Sequence, residues 1–196
     1  MNSENHLIKN KGKQMNLWKD LKTGNKAPDI VNAIVEIPKG SRNKYEFSKK
    51  YGTITLNRVL FSPLHFPGDY GLIPQTYYDD GDPLDILILL NEPTFPGCVV
   101  EARPLGLFRM KDKGLPDDKV LAVLTHDPIF RDFKDISEIP QHYLKEIAHF
   151  FQVYKDLEGH SVEGLGWESS AVAKKTILYA MDLFQKKMSE KKAKKK

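Results

Sequence analysis

Between Ile30 and Leu124 the hydrophobic and polar positions alternate in short runs. Val31, Ala33, Val35 and Ile37 fall on one parity and Asn32, Ile34 and Glu36 on the other, the period of two expected of a strand. Lys44-Tyr45-Glu46-Phe47 alternates as well, which puts Lys44 and Glu46 on one face. Thr53 to Arg58 alternates again, with Arg58 on the parity of Ile54 and Leu56. A charge on an apolar face needs a partner, so Arg58 is either paired with an acid or placed to meet an anion. Ile86 to Leu90 is a continuous apolar run and reads as a buried strand, and Val99 to Ala102, Leu105 to Met110 and Val120 to Leu124 complete the set. Pro and Gly punctuate nearly every junction, as at Pro67-Gly68, Pro96-Gly97 and Gly114. Many short strands with frequent turns predict a small barrel or sandwich.

The period then changes. Leu144, Ile147, Ala148, Phe151 and Tyr154 recur at helical spacing behind Pro140, a suitable first helical residue. A second stripe, Ala173, Ile177, Ala180, Met181 and Phe184, follows Ser169 and Ser170, either of which can cap. Strands first and helices after predict an α+β, mainly β layout, with helices packed on a barrel. Leu17, Trp18 and Leu21 add a short amphipathic turn or helix near the start. Residues 1–14, polar and rich in Lys and Asn, read as a disordered extension, and 15–185 as the one folded body.

Composition changes this picture little. With 196 residues, 40% hydrophobic and 29% charged, the chain suits one soluble globular domain. No run approaches the ~20 apolar residues of a membrane span, and no signal-type segment opens the chain, so a cytoplasmic setting is expected. The net charge of +4 is local. Residues 186–196 hold seven lysines and one glutamate, which leaves the rest of the chain at about −2. That stretch reads as a disordered, solvated tail. Cys98 is the only cysteine, which excludes an internal disulfide and a Cys-based zinc site, and it reads as a small buried hydrophobe.

The chemistry concentrates at Asp80-Gly81-Asp82-Pro83-Leu84-Asp85-Ile86, where three carboxylates crowd the mouth of a buried strand. Like charges a few Å apart raise one another's pKa, and a hard divalent cation such as Mg²⁺ offsets that cost. An EF-hand fails here, because Asp85 stands where the loop needs Gly and Asn91 where it needs Glu. A second acidic group, Asp112, Asp117 and Asp118, lies in a Gly/Pro loop between two strands, and the two groups together suit a site for several metals. Lys44, Arg58, Lys119 and Lys155 are the cations that lie in or beside predicted elements. Metals plus such cations suit phosphoryl transfer, in which charge spreads over phosphate oxygens. His65 and His149 lack a second His at ligand spacing and read as packing residues.

Taken together these residues resemble the soluble family I inorganic pyrophosphatases. The anchor is the Asp80 to Ile86 run, and Val35-Glu36-Ile37-Pro38, Lys44-Tyr45-Glu46, Arg58, Asp69-Tyr70-Gly71, Asp112 to Lys119 and His149 to Glu158 follow in the same order. The resemblance implies a five-stranded, OB-like Greek-key barrel flanked by two C-terminal helices, and Mg²⁺-dependent hydrolysis of pyrophosphate. It implies Asp80, Asp85 and Asp117 as ligands of a first metal, Asp112 and Asp117 as ligands of one that arrives with substrate, and Glu46 as a contact to a further metal. Glu36 is implied as an acid behind those ligands and Asp82 as the base that takes a proton from water. Lys44, Arg58, Lys119, Tyr154 and Lys155 are implied as the phosphate grip, with Tyr70 donating near the nucleophile. A homohexamer is implied by the same resemblance; no membrane partner is expected without a long apolar run, and the negative charge of the body outside the tail argues against a specific nucleic-acid partner. One feature departs from the pattern: Phe66 stands where bacterial members often carry Tyr. Asp118, beside Asp117, is placed to compete for the late metal.

Overall fold

The computed structural model describes residues 15–193. The extension expected over 1–14 therefore lies outside the described residues. Nine strands and three α-helices follow in the order α1 (Leu17–Asp20), β1 (Val31–Ile37), β2 (Asn43–Ser48), β3 (Thr53–Val59), β4 (Asp69–Leu72), β5 (Asp85–Leu89), β6 (Val99–Asp112), β7 (Leu115–Pro116), β8 (Lys119–Leu124), α2 (Gln141–Val153), β9 (Val162–Ser169) and α3 (Ser170–Ala193). Hydrogen bonds run from β1 to β4, β5, β8 and β6, and β6 returns to β1. Five strands thus close a ring in which each is paired on both sides. Strand β9 pairs with β6, and β2 with β3 forms a separate hairpin.

The five staves are not the five that alternation alone marks out. The β2–β3 hairpin stands off the ring, and β4, whose four residues are too few to show a period, belongs to it. Gly71 in β4 is required there, since a Cβ would lie 1.9 Å from the Ile34 carbonyl oxygen on β1. Val99 to Ala102 and Leu105 to Met110 are one 14-residue strand that runs through Pro104. The register against β8 slips between Pro104 and Gly106, and such a bulge lets a strand bend around a barrel and keep a proline. Strand β9 carries Gly164 and Gly166 and is half exposed, so its sequence shows no clear strand signal.

Burial explains the apolar runs. Leu87, Leu89, Leu121 and Val123 pack with Ile147, Phe150 and Phe151 of α2, while the alternate positions Ile86, Ile88, Val120 and Ala122 pack with Ala173, Ile177 and Ala180 of α3. Strands covered on both faces need no polar parity. The same cause buries Ile34 and Glu36 in β1, where period two had placed them on a polar face.

Helix α3 does not stop at the lysine run. It continues to Ala193, so 186–193 is helical and only 194–196 of the expected tail lies outside the described residues. Lysine is a good helix former, and Met188 packs against the Trp18, Tyr77 and Phe184 cluster. Pro140 sits at the N-cap of α2, one position before the expected first turn. Asp135 ties the helical end together. Its carboxylate accepts from Ser137 N–H at 3.1 Å, from Ser170 N–H at 3.0 Å and from Ser170 Oγ at 2.7 Å. These donors, the Ser170 hydroxyl first, hold its pKa down to about 2. Asp135→Ala is expected to cost about 1–2 kcal/mol at neutral pH, the usual range for a lost cap. A carboxyl depressed in the folded state stabilises above its unfolded pKa, so the gap to wild type should narrow as pH falls from about 4 toward 2. Urea unfolding across that window checks both the size and the sign.

Candidate active site

Strand pairing brings the acids to one end of the barrel. Strands β5 and β8 are parallel, with Asp85 opposite Lys119, and both are first in their strands. Lys119 Nζ therefore reaches Asp85 Oδ2 at 2.5 Å, and it also contacts Asp117 Oδ1 two residues before it. Tyr70, from β4, donates its hydroxyl to the same Asp85 oxygen at 2.5 Å. The β6–β7 hairpin turns through Lys113 (φ 51°) and Gly114 (φ 81°), two left-handed residues that suit a two-residue turn. That turn, with Asp117 N–H donating to the Met110 carbonyl at 2.9 Å, sets Asp112 and Asp117 at the same end. In the Asp80 loop, Asp80 Oδ1 accepts from Asp82 N–H at 2.9 Å and Tyr78 N–H donates to the Asp82 carbonyl at 2.7 Å, with Gly81 between them at φ 87°.

The result is a cleft of about 560 Å³ lined by seven carboxylates, Glu36, Glu46, Asp80, Asp82, Asp85, Asp112 and Asp117, and five lysines, Lys44, Lys49, Lys113, Lys119 and Lys155. Tyr70, Tyr154 and Phe66 are among the aromatic residues of the wall. Every predicted site residue lines this cleft except Arg58, which is held in a two-point pair with Glu158 (2.9 and 2.7 Å). Of the two outcomes open to a charge on that parity, Arg58 takes the acid partner.

Lysines and carboxylates pair around the wall. Lys155 Nζ lies 2.6 Å from Asp112 Oδ2, Lys44 contacts Glu46, and Lys49 contacts Asp82. Burial disfavours the ammonium of Lys119, but Asp85 and Asp117 outweigh it and raise its pKa. Glu36, buried and accepting from Phe47 N–H at 2.6 Å, is pushed up to about 8 by burial first and by Asp85 second. Asp80 is pushed up to about 6 by burial, with Asp85, Asp117 and Asp82 adding to it. Asp117 is raised by burial, and Asp112 is lowered because Lys155 outweighs its burial. Tyr70 is raised by burial and by Asp85, so it acts as a donor.

These groups fit divalent metal ions. Asp112 Oδ1 is buried and has no hydrogen-bond partner, an acceptor left over once Lys155 has taken Oδ2. Burial and neighbouring carboxylates hold Asp80 above its ordinary range, a cost that a cation relieves. Among the described residues, no three acid, imidazole or thiol side chains form a ready-made metal cage. The lysine ammonium groups hold several of these oxygens as their counterions instead. The all-oxygen donor set suits Mg²⁺, Ca²⁺ or Mn²⁺.

A family profile described as inorganic pyrophosphatase matches residues 33–185. The chain belongs to the inorganic pyrophosphatase family. It is 54% identical to the inorganic pyrophosphatase of Haloferax volcanii over 172 residues, covering 87% of this chain and 97% of that one. It is 49% identical to that of Halobacterium salinarum, covering 89% and 99%. The crystal structure of the Thermus thermophilus inorganic pyrophosphatase superposes with a TM-score of 0.84 at 40% identity, covering 87% of this chain and 99% of that one. As expected of this family, the fold is mainly β, with a ring of strands resembling an OB barrel and helices beside it.

Within this pyrophosphatase several expectations need correction. Asp118 takes no part in the cleft. It is 3% exposed and accepts from Tyr78 Oη at 2.6 Å, Arg109 Nη1 at 2.7 Å and Met110 N–H at 3.1 Å, so neighbouring parity turns it away from Asp117. His65 and His149 are exposed and do not pack. Phe66 needs no hydroxyl where it lies, buried against Phe150 at 4.9 Å and Tyr70 at 5.4 Å. Residue-by-residue reasoning missed Lys49 and Lys113. Lys49 sits in an ordinary turn and becomes a wall residue only because the β2–β3 hairpin folds over the Asp80 loop.

Proposed function

We propose that this inorganic pyrophosphatase hydrolyses pyrophosphate to two phosphates with Mg²⁺ as its metal, using the cleft at the barrel mouth. The observation that carries the reading is the convergence of Asp80, Asp85, Asp112 and Asp117 from three separate chain segments on one polar cleft, interleaved with lysines of which Lys119 is buried. Asp80, Asp85 and Asp117 would hold the first ion, Asp112 with Asp117 one that enters with substrate, and Glu46 a further one through water, with Glu36 behind them. Bound Mg²⁺ supplies positive charge to phosphate oxygens and acidifies water.

The chain's own residues do the rest. Lys44, Lys119, Lys155 and Tyr154 present cations and a hydroxyl to the phosphate oxygens, and Arg58 joins them on release from Glu158. Water attacks one phosphorus, the P–O bond to the bridging oxygen breaks, and the lysines neutralise the departing phosphate. Asp82, at the solvent-facing rim, accepts the proton from that water. Tyr70 donates to Asp85 and fixes the direction of its lone pairs.

Excess carboxylate on the wall argues against a nucleic-acid groove, which needs a basic surface. Exposed large apolar side chains such as Phe61 and Phe95 support a homo-oligomer, for which we propose the hexamer. No helix among the described residues is long and apolar enough to cross a membrane, which is compatible with a cytoplasmic enzyme.

Phosphate release from pyrophosphate, with Mg²⁺ and then with chelator, tests the function. Release that stops in chelator and returns with Mg²⁺ is expected, and no release at any Mg²⁺ concentration would refute the reading. Asp82→Asn should lower kcat by about 10²–10⁴-fold, the usual contribution of a positioned base, with the thermal midpoint little changed. Near-normal turnover would remove Asp82 from that role.

A further inference from the structure

Outside the cleft, three distant segments bring lysines onto one aromatic pair. Trp18 of α1 and Tyr77 meet edge to face with ring centroids 4.9 Å apart. Lys19 Nζ lies 5.4 Å and Lys49 Nζ 5.3 Å from the Trp18 centroid. Lys187 Nζ lies 4.2 Å and Lys191 Nζ 5.8 Å from that of Tyr77. Lys187 and Lys191 are one helical turn apart in α3 and so share a face. Four ammonium groups around two touching rings repel one another, and cation–π attraction offsets part of that cost. Among the described residues, Lys19, Lys187 and Lys191 form no ion pair with a carboxylate. Lys49 does, with Asp82 at the rim of the cleft, so the group abuts the active site.

We propose that Lys19, Lys49, Lys187 and Lys191 form an anion-docking ridge that draws inorganic pyrophosphate from solution to the mouth of the cleft. This rests on the cleft being the pyrophosphate site. The cleft wall itself carries more carboxylates than lysines, so its own field opposes a multiply charged anion until cations are bound. A nearby cationic ridge reverses that field at longer range and raises the rate of productive encounter. Contact of Lys187 and Lys191 with the Tyr77 ring, and of Met188 with the cluster of Trp18, Tyr77 and Phe184, holds the lysine run of α3 along the fold.

The test is steady-state hydrolysis at a fixed Mg²⁺ concentration below saturation, where the cleft keeps its excess of carboxylate, as a function of ionic strength. The full chain is compared with Lys187→Gln/Lys191→Gln and with a charge-matched control, Lys145→Gln/Lys175→Gln, at exposed positions away from the ridge. At low salt the ridge variant should lose about three- to tenfold in kcat/KM with kcat unchanged, and the loss should vanish near 1 M salt, where screening acts within about 3 Å. The control should match wild type. Equal kcat/KM in ridge variant and wild type would overturn the ridge, as would an equal loss in the control. A fall in kcat that persists at high salt would also overturn it, by showing a structural effect. An inactive wild type would instead refute the pyrophosphatase reading, so the two failures are separable.

Discussion

Asp85→Asn is expected to lower kcat/KM by at least about a thousandfold, equivalent to about 4 kcal/mol of transition-state stabilisation. The amide keeps nearly the same shape and an oxygen that can still accept from Tyr70 Oη and Lys119 Nζ, each 2.5 Å from Asp85 Oδ2 in the wild type. It removes the negative charge that shares a cation between β5 and β8. The loss should persist when Mg²⁺ is raised, because a neutral oxygen cannot stand in for an anionic one at the centre of the acid group. Circular dichroism should show the fold retained. A fall of less than tenfold at saturating Mg²⁺ would show that Asp85 is not a principal ligand.

Lys119→Met should have its largest effect on stability in the metal-free protein. Lys119 is 3% exposed in its side chain and pairs with both Asp85 and Asp117. Methionine fills much of the same space but leaves two carboxylates facing each other beside a buried wall. Removing one partner of a buried ion pair typically costs about 3–5 kcal/mol, which for a chain of this size shifts the melting midpoint by on the order of 10 °C. The pH dependence has a definite sign. Without the ammonium that lowers it, Asp117, already raised by burial, titrates at values above its unfolded one, so the folded state holds a proton that the unfolded state has lost. The variant should therefore regain stability as pH falls through those raised values. Mg²⁺ should restore part of the loss, since the ion replaces the missing positive charge. A metal-free variant that melts with wild type at pH 7 would contradict this account of Lys119.

Much of the site was legible in the sequence because its chemistry is written in residue types that a fold rarely tolerates together. Asp80, Asp82 and Asp85 beside a buried strand demand a counter-charge on composition alone, and the fold brings them to one cleft with Asp112 and Asp117. Positions set by long-range contacts were not legible. Asp117 and Asp118 are adjacent and chemically alike, yet only the pairing of β6 with β8 decides that Asp118 faces Arg109 while Asp117 faces Lys119. Arg58 was legible as a charge in need of a partner, but the choice of Glu158, a hundred residues on, was not. Lys49 gave no signal at all.

The fold divides in the same way. Buried strands such as β5 and β8 announce themselves as apolar runs, because α2 and α3 cover both of their faces. Short β4 and glycine-bearing β9 do not, since their place depends on partners in the sheet and not on a period. The lysine run at the end of α3 read as a tail by composition. It is helical because Met188, Lys187 and Lys191 find an aromatic surface to rest on.

The central claim is that carboxylates from separate strands gather divalent ions at the barrel mouth. A crystal grown with Mn²⁺, a close mimic of Mg²⁺ that scatters anomalously, tests it most directly. Anomalous peaks bonded to oxygens of Asp80, Asp85 and Asp117, with Lys119 displaced from at least one of them, are predicted. Mn²⁺ bound only elsewhere on the surface, with the Lys119 pairs intact at saturating metal, would contradict it.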